Sequence, residues 1–195
     1  MQVSVKARPE ATADRILDVA ERLVQTRGFH GFSYGDVSTE LGITRAALHY
    51  HYRNKVELGA ALIERYHSRF RERLDEIAAA SPSAAQRLQD YAGIYRSVFA
   101  DGRMCLCGML AAEFDTLDQP MGGELLAFFD TNYGWLAEVL DAGRAAGELR
   151  LAAGASETAQ LIVSTLEGAM LLNRPSGNVR RFDDVVARLL DQLVA

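Results

Sequence analysis

The sequence contains little of what a membrane, secreted or disulfide-stabilised protein needs. No run of about 20 apolar residues occurs among its 195 residues, so no transmembrane helix is expected. The N-terminal stretch MQVSVKARPEATADR lacks the apolar run of a signal peptide. Only two cysteines are present, Cys105 and Cys107, and two thiols this close in sequence do not make a disulfide framework. These absences predict a reduced, cytoplasmic protein.

Strand-forming patterns are also nearly absent. No run of β-branched residues alternates with a period of two, whereas Ala, Leu, Glu and Arg recur at helical spacing throughout. Capping residues predict a first helix from Thr12 to Gly28, a second at about 34–41, a third that starts at Thr44, and a fourth from Asn54 to about Ala80. Five more helices are expected at about 83–100, 104–117, 121–146, 156–173 and 179–194. The predicted fold class is all-α.

The charge of the chain is unevenly distributed. The net charge of −5 argues against a nucleic-acid partner. However, residues 1–55 carry eight Lys or Arg against six Asp or Glu, whereas residues 56–195 carry thirteen against twenty. Both lysines, Lys6 and Lys55, lie in the first part. Chance explains such an asymmetry equally well, so the charge only directs attention to the first third of the chain.

The segment LGITRAALHYHYRNK, residues 41–55, combines an apolar helix face with a cluster of rings and cations. Two short helices separated by Gly42 and Ile43 describe a helix-turn-helix, whose second helix enters the DNA major groove. Small side chains near the start of that helix, such as Ala46, allow a close approach to the bases. Leu48 is expected to anchor the helix inward, so that the rings and cations face the phosphates.

Residues 12–58 resemble the DNA-binding domain of the TetR family of bacterial transcriptional regulators, through the stretches RILDVAERLVQTRGFHGFSYGDVSTELGIT and RAALHYHYRNKVEL. Two positions depart from the family: His49 stands where tyrosine is usual, and Tyr52 where phenylalanine is usual. A histidine contact would depend on pH, because the side chain has an ordinary pKa of about 6.5. Tyr52 is expected to pack in the core. By matching position, the resemblance implies DNA contacts from Ser33, Tyr34, Thr44, Arg45, Ala46, His49, Tyr50, His51 and Lys55.

The resemblance also implies a DNA-binding domain at residues 1–55 and an effector-binding and dimerisation domain at residues 56–195. It implies a homodimer that represses from a palindromic operator until a small apolar or electrophilic effector releases it. The last two helices carry the apolar stripes expected to pack against the partner as a four-helix bundle. A monomer that folds these stripes inward is the alternative. The stripes are Ile162, Val163, Leu166, Ala169 and Met170, and Phe182, Val185, Val186, Leu189, Leu190 and Leu193.

Aromatic residues in the second half suggest an effector cavity. Three recur at i, i+4 and i+8 on the predicted fifth helix, and the others recur at similar spacing on the seventh. Two such helices would wall a mostly apolar cavity, but ordinary core packing explains the same stripes, so both interpretations stay open. The candidate effector-binding residues are Tyr91, Tyr95, Phe99, Phe128, Asn132 and Trp135.

Cys105 is a second candidate sensor. The stretch MCLCGMLAAEF, residues 104–114, resembles a helix start in the branch of the family that includes sensors of reactive electrophiles and oxidants. A thiol at a helix N-terminus next to Arg103 is expected to have a lowered pKa, which favours the reactive thiolate. The alternative is that Cys105 and Cys107 are small buried core residues.

Other chemistries find little support in the sequence. His49 and His51 lie about 200° apart around a helix and cannot bind one metal from a single face, so neither a metal nor a cofactor is expected. No Gly-rich phosphate loop, HExxH motif or nucleophile elbow is present. Glu113, Asp115 and Asp118 are expected to form a solvated helix face. A small hydrolase built on a helical bundle is the remote alternative to a regulator.

Overall fold

The computed structural model describes residues 9–194. Residues 1–8, which include Lys6, lie outside the described residues. The absence of a signal peptide in this segment therefore stays a prediction. Within 9–194 no strand forms, so the predicted all-α class is confirmed. None of the helices in this range is both long and apolar enough to cross a bilayer. The helices are α1 (Pro9–Arg27), α2 (Tyr34–Leu41), α3 (Arg45–His51), α4 (Lys55–Ala80), α5 (Ala84–Ala100), α6 (Leu106–Ala111), α7 (Gln119–Ala145), α8 (Ala155–Asn173) and α9 (Val179–Asp191).

Helices α1, α2 and α3 form a small unit held by local caps and a shared apolar core. The Ser33 hydroxyl accepts from the Asp36 N–H, and the Ser33 N–H donates to the Asp36 carboxylate, so the two residues cap α2 reciprocally. Gly42 ends α2 with a φ of 65°, a left-handed conformation that a side chain would strain. The Thr44 hydroxyl then caps α3. Leu48 is fully buried, as predicted, and fastens α3 to this unit.

Helix α4 connects the three-helix unit to a C-terminal bundle. It packs on α1 and also on α5, α6 and α7, while α8 lies between α7 and α9. The centre of the bundle is aromatic. Phe70 of α4 lies edge-on to Tyr91 and Tyr95 of α5 and to Phe128 of α7, with ring centroids 6.2, 6.1 and 5.0 Å away.

Three helix boundaries differ from the prediction. Helix α1 begins at Pro9, which suits a first turn because proline has no N–H to satisfy, so Thr12 lies inside the helix and does not cap it. Helix α6 ends at Ala111 instead of 117, and the chain continues through a 3₁₀ turn at Phe114–Thr116. Helix α9 ends at Asp191, because the residues after it run antiparallel to residues 149–150 of the loop between α7 and α8.

Candidate DNA-binding surface and effector site

A groove of about 540 Å³ lies where α2, α3 and the start of α4 meet. We call it the α2–α3 groove. The sequence predicts DNA contacts for five of its lining residues, and the fold brings those five together. Sequence reasoning misses Arg53, although an exposed basic residue just before the fourth helix is a usable signal. The lining residues are Phe32, Ser33, Tyr34, Gly35, Arg45, His49, Arg53, Asn54 and Lys55.

The outer face of α3 is exposed next to this groove. Tyr50 leaves 81% of its surface exposed, so its ring is available to a partner. Thr44, Arg45, Ala46 and His49 are also exposed, and His51 is half-buried. The missing side chain of Gly35 makes room for the Arg45 guanidinium, which a Cβ there would contact.

Tyr34 uses its hydroxyl hydrogen and part of its ring in contacts within the protein. Its hydroxyl donates to the Tyr52 carbonyl at 3.0 Å, and its ring lies 4.8 Å from that of His49. Burial raises the pKa of Tyr34 to about 12, with smaller contributions from the charge of Glu57 and from Tyr52. Tyr34 therefore stays neutral, and its hydroxyl oxygen remains available as an acceptor.

The hydrogen bonding of His49 decides what it can offer to a phosphate. Its Nδ1 lies 3.0 Å from the Arg53 carbonyl oxygen. Because a carbonyl only accepts, Nδ1 carries the hydrogen in this contact. The neutral ring then presents Nε2 as an acceptor, and only the imidazolium donates from Nε2. A phosphate contact of His49 would therefore require protonation.

Lys55 points into the protein. Its ammonium donates to the carbonyls of Phe29 and Phe32 and lies 4.7 and 4.2 Å from the centroids of their rings. Burial lowers the pKa of Lys55, while the carboxylates of Glu113 and Asp36 oppose that shift. Two of its three donors thus hold the turn between α1 and α2. The predicted phosphate contact of Lys55 stays a prediction, with one donor left to make it.

The same turn is bonded to the segment that follows α6. Glu113 Oε2 accepts from the Phe29 N–H at 2.8 Å, and His30 Nε2 lies 3.0 Å from Thr116 Oγ1. Gly28, at the end of α1, has a φ of 83°, and a Cβ there would overlap with the Glu113 carboxylate. The C-terminal part therefore contacts the three-helix unit directly at the turn that Lys55 also holds.

The expected solvated acidic face is only partly correct. Asp115 and Asp118 are exposed. For Glu113 the expectation is wrong, because its half-buried carboxylate accepts the hydrogen bond from the Phe29 N–H.

The residues predicted to line an effector cavity form a packed and hydrogen-bonded cluster. The Tyr91 hydroxyl donates to Asn132 Oδ1 at 2.6 Å and lies 3.1 Å from the Tyr95 hydroxyl. Trp135 stacks on Tyr91 with ring centroids 5.7 Å apart, and Phe128 is fully buried in the same bundle. In this conformation the side chains pack against one another as in a core, and an effector cavity stays a prediction.

The two tyrosines of this cluster are neutral, and Phe99 lies outside it. Burial raises the pKa of Tyr91 and Tyr95 well above the ordinary value, so both hydroxyls stay protonated. Phe99 does not share these ring contacts; its ring lies 5.7 Å from that of Phe182 on α9.

Cys105 is a buried thiol. It occupies the N-cap position of α6, where its Sγ accepts from the Gly108 N–H at 3.5 Å, and the Tyr66 hydroxyl lies 3.9 Å from it. Burial raises the pKa of Cys105 well above its ordinary value, and the nearby Glu167 carboxylate raises it further.

The predicted lowering of the Cys105 pKa is therefore wrong. The loss of solvent around the thiol outweighs the effect of the helix N-terminus. Arg103 does not compensate, because its guanidinium is bonded to the side chains of Asp101 and Gln25.

Sequence reasoning misses Glu167 of α8. Its Oε1 is buried and has no hydrogen-bond partner among the described residues. Burial raises the pKa of Glu167 to about 7, and the nearby Cys105 thiol opposes that shift only in part. The available signal is a single acidic residue inside the apolar stretch LIVSTLEGAML, residues 161–171.

Most of the apolar stripe residues of α8 and α9 face the core of their own chain. Those on α8 are at most 6% exposed, and Phe182 and Leu189 of α9 are also buried. In this conformation these α8 residues, and Phe182 and Leu189 of α9, are core residues, and a dimer interface through the last two helices stays a prediction. The apolar side chains that the two helices leave exposed are Leu161, Leu171, Leu172 and Val185, at 37–80%.

Comparison with known proteins places both halves of the chain in one family. A family model described as bacterial regulatory proteins of the tetR family matches residues 16–62. A second, described as a tetracyclin repressor-like C-terminal domain, matches residues 84–189. The HTH-type transcriptional regulator TtgR of Pseudomonas putida is 35% identical over 78 residues. That match covers 40% of this chain and 35% of TtgR, so the chain spans about a third of that relative.

Solved structures agree over nearly the whole length. A TetR-family transcriptional regulator from Agrobacterium tumefaciens has a TM-score of 0.93 and 30% identity, over 96% of this chain and 100% of that one. A TetR transcriptional regulator from Legionella pneumophila has a TM-score of 0.81 and 28% identity, over 97% of each chain. The two family models and these structures agree with the helix-turn-helix geometry. The chain therefore belongs to the TetR family of transcriptional regulators, which are DNA-binding proteins and not enzymes.

Proposed function

We propose that the chain is a homodimeric repressor that binds a palindromic operator and is released by a small effector. The observation that carries the proposal is the α2–α3 groove with its free cations. Arg45 and Arg53 both border it, and neither forms an ion pair with any residue of the 9–194 range. In a chain of net charge −5, unpaired guanidinium groups next to an exposed helix suit a polyanionic partner.

Within this proposal the residues of the groove and of the exposed face of α3 divide into two roles. Arg45, in the first turn of α3, is placed to read base edges, and the small Ala46 allows the backbone to approach. Tyr50, His51 and Arg53 are placed to contact phosphates, which position the protein without reading sequence. The remaining predicted contacts are Ser33, Tyr34, Thr44, His49 and Lys55.

We place the DNA-binding domain at residues 1–55 and the effector-binding and dimerisation domain at 56–195. The proposed dimer uses the exposed faces of the last two helices. On α9 Val185 is exposed, and on α8 Leu161, Gly168 and Leu172 follow one another at helical spacing. Leu161 and Leu172 are 56% and 80% exposed, and a Cβ at Gly168 would meet no neighbour, which permits close approach of a second helix. A two-fold dimer would present two α3 helices to major grooves about 34–36 Å apart, or a multiple of that distance.

The effector is proposed to enter between α5 and α7 and to displace the cluster around Tyr91, Asn132 and Trp135. A ligand shifts the protein only toward a state that it binds better, so an open bundle must differ from the closed one at the DNA-binding unit. The hydrogen bond between Glu113 and the Phe29 N–H supplies a physical link, because any movement of the segment after α6 pulls on the turn between α1 and α2.

The proposal is tested by selecting a duplex from a random library and titrating it at several salt concentrations. Arg53→Ala should weaken binding to all sequences alike and reduce the salt dependence by about one phosphate contact. Arg45→Ala should instead relax the preference at particular base pairs, by about 1–3 kcal/mol per pair. Arg71→Ala, an exposed arginine of α4 outside the groove, is the matched control and should change neither property.

Two results would contradict the assignment. If Arg45→Ala and Arg53→Ala both kept the affinity and selectivity of the wild type, the α2–α3 groove would not be the DNA-binding surface. A selected sequence without two-fold symmetry would contradict the proposed dimer.

A further inference from the structure

Glu167 holds a carboxylate inside the C-terminal bundle without a cationic partner. Its Oε1 is buried and accepts no hydrogen bond, and the carboxylate forms no ion pair with any described residue. Burying such a group is costly unless it is paired, so an unpaired buried carboxylate oxygen marks a place where a partner would be strongly favoured.

The position of this carboxylate depends on a glycine of another helix. A Cβ at Gly108 of α6 would overlap with Oε2 and the carboxyl carbon of Glu167, so the carboxylate lies in space that any other residue at 108 would occupy. Cys105, three residues earlier, lies close enough to influence the pKa of this carboxylate. The carboxylate thus lies between α6 and α8, on the side of the bundle where Tyr66 approaches Cys105.

The titratable groups whose pKa values respond to the Glu167 charge are themselves neutral, and four of them are tyrosines. Burial raises the pKa of each of the tyrosines and cysteines concerned, so none of them carries a charge near pH 7. An anionic oxygen in a bundle with neutral aromatic side chains suits an organic cation, which gains a charge-assisted hydrogen bond and cation–π contacts together. The titratable groups are Cys105 and Cys107 of the α6 segment, Tyr66 of α4, Tyr91 and Tyr95 of α5, and Tyr133 of α7.

We propose that Glu167 is the polar anchor of the effector site and selects effectors that carry a positively charged nitrogen on a small aromatic body. The proposal rests on the proposed effector function of the C-terminal bundle. The nitrogen donates to Oε1 of Glu167, and the aromatic body takes a place among the rings of Tyr66, Tyr91 and Tyr95.

Proton release follows from this arrangement. With a pKa raised to about 7 by burial, Glu167 is partly protonated at neutral pH. A bound cation favours the ionised carboxylate, so binding expels the proton, and affinity for the cation falls by up to about tenfold for each pH unit below pH 7. A neutral ligand of the same shape has no such dependence.

The test uses the full-length protein and its single tryptophan. Trp135 stacks on Tyr91, so its fluorescence reports changes in the cluster. Wild type, Glu167→Gln and the matched control Glu157→Gln, an exposed glutamate of the same helix, are each titrated with benzylamine, benzyl alcohol and benzoate at pH 6, 7 and 8.

We expect wild type and Glu157→Gln to bind benzylamine at least about tenfold more tightly than benzyl alcohol at pH 8, with the preference shrinking at pH 6. Glu167→Gln should lose both the preference and its pH dependence while it still binds the alcohol. Equal affinities for the three compounds, or an unchanged preference in Glu167→Gln, would overturn the proposal and leave the effector site in place. If no compound changes the Trp135 emission, the proposal is overturned as well. Operator binding is tested separately with the variants of Arg45 and Arg53, so the two failures are distinguishable.

Discussion

The partly buried Glu167, whose Oε1 is shielded from solvent, leads to a prediction about stability that needs no ligand. Replacing Glu167 by glutamine keeps the shape of the side chain and removes its charge. Because a glutamine does not titrate, the variant should be more stable than the wild type wherever the wild-type carboxylate is ionised in the unfolded chain. The difference should therefore grow with pH.

The size of this effect follows from the two pKa values. Glu167 has a pKa of about 7 in the folded protein against an ordinary value of 4.5. A carboxyl whose pKa is raised by folding favours the folded state fully below the unfolded value, and this contribution is lost as pH rises from about 4.5 to about 7. At roughly 1.4 kcal/mol for each pH unit, the loss reaches about 3 kcal/mol at pH 8 and about 1 kcal/mol at pH 5.

Urea unfolding at a fixed protein concentration measures the free energy of unfolding, because a dimer's stability depends on concentration. The gain of Glu167→Gln over wild type should rise from about 1 kcal/mol at pH 5 to about 3 kcal/mol at pH 8. The control Glu157→Gln should run parallel to wild type, since Glu157 is exposed. A constant difference between Glu167→Gln and wild type across this range would refute the argument that burial raises the pKa.

Three other changes test the remaining structural conclusions. Leu48→Ala should lower the free energy of unfolding by about 2–5 kcal/mol and abolish operator binding, because it leaves a cavity under α3. A variant that unfolds at nearly the wild-type temperature would contradict this packing of Leu48. Glu113→Ala should weaken the effect of an effector on DNA affinity, whereas Glu113→Gln, which still accepts from the Phe29 N–H, should largely retain it. Cys105 should react with iodoacetamide at pH 7.5 far more slowly in the folded protein than in urea, since burial raises its pKa; equal rates by mass spectrometry would restore the thiolate hypothesis.

The DNA-binding unit could be predicted largely from the sequence because its signals are local. Ser33 and Thr44 cap helices through N–H groups three residues away, and Gly42 supplies the one left-handed residue that ends α2. Leu48 was predictable as an anchor because a 3.6-residue period shows which face of a short helix is apolar. The exposure of Arg45 follows from the same period.

Other properties depend on contacts between distant residues, which periodicity cannot show. The α8 stripe shows one apolar face without saying whether a partner or the chain itself covers it; the tertiary structure covers it with α7 and α9. The position of Lys55 in the motif suggests that it contacts a DNA phosphate. In the structure, however, its ammonium donates to the carbonyls of residues 23 and 26 positions earlier in the chain.

The sequence by itself determined the helices, the helix-turn-helix and the family, because caps, spacing and amphipathic periods act over a few residues. The tertiary structure alone decided the charge states and partners of the sensing half. The pKa of Cys105 rises because other helices exclude water from it, and Oε1 of Glu167 is buried because Gly108 of another helix leaves room for the carboxylate. Glu113 accepts a hydrogen bond from a residue 84 positions earlier. Desolvation and hydrogen bonding depend on what surrounds an atom in three dimensions, and the spacing of residues along one helix carries no record of it.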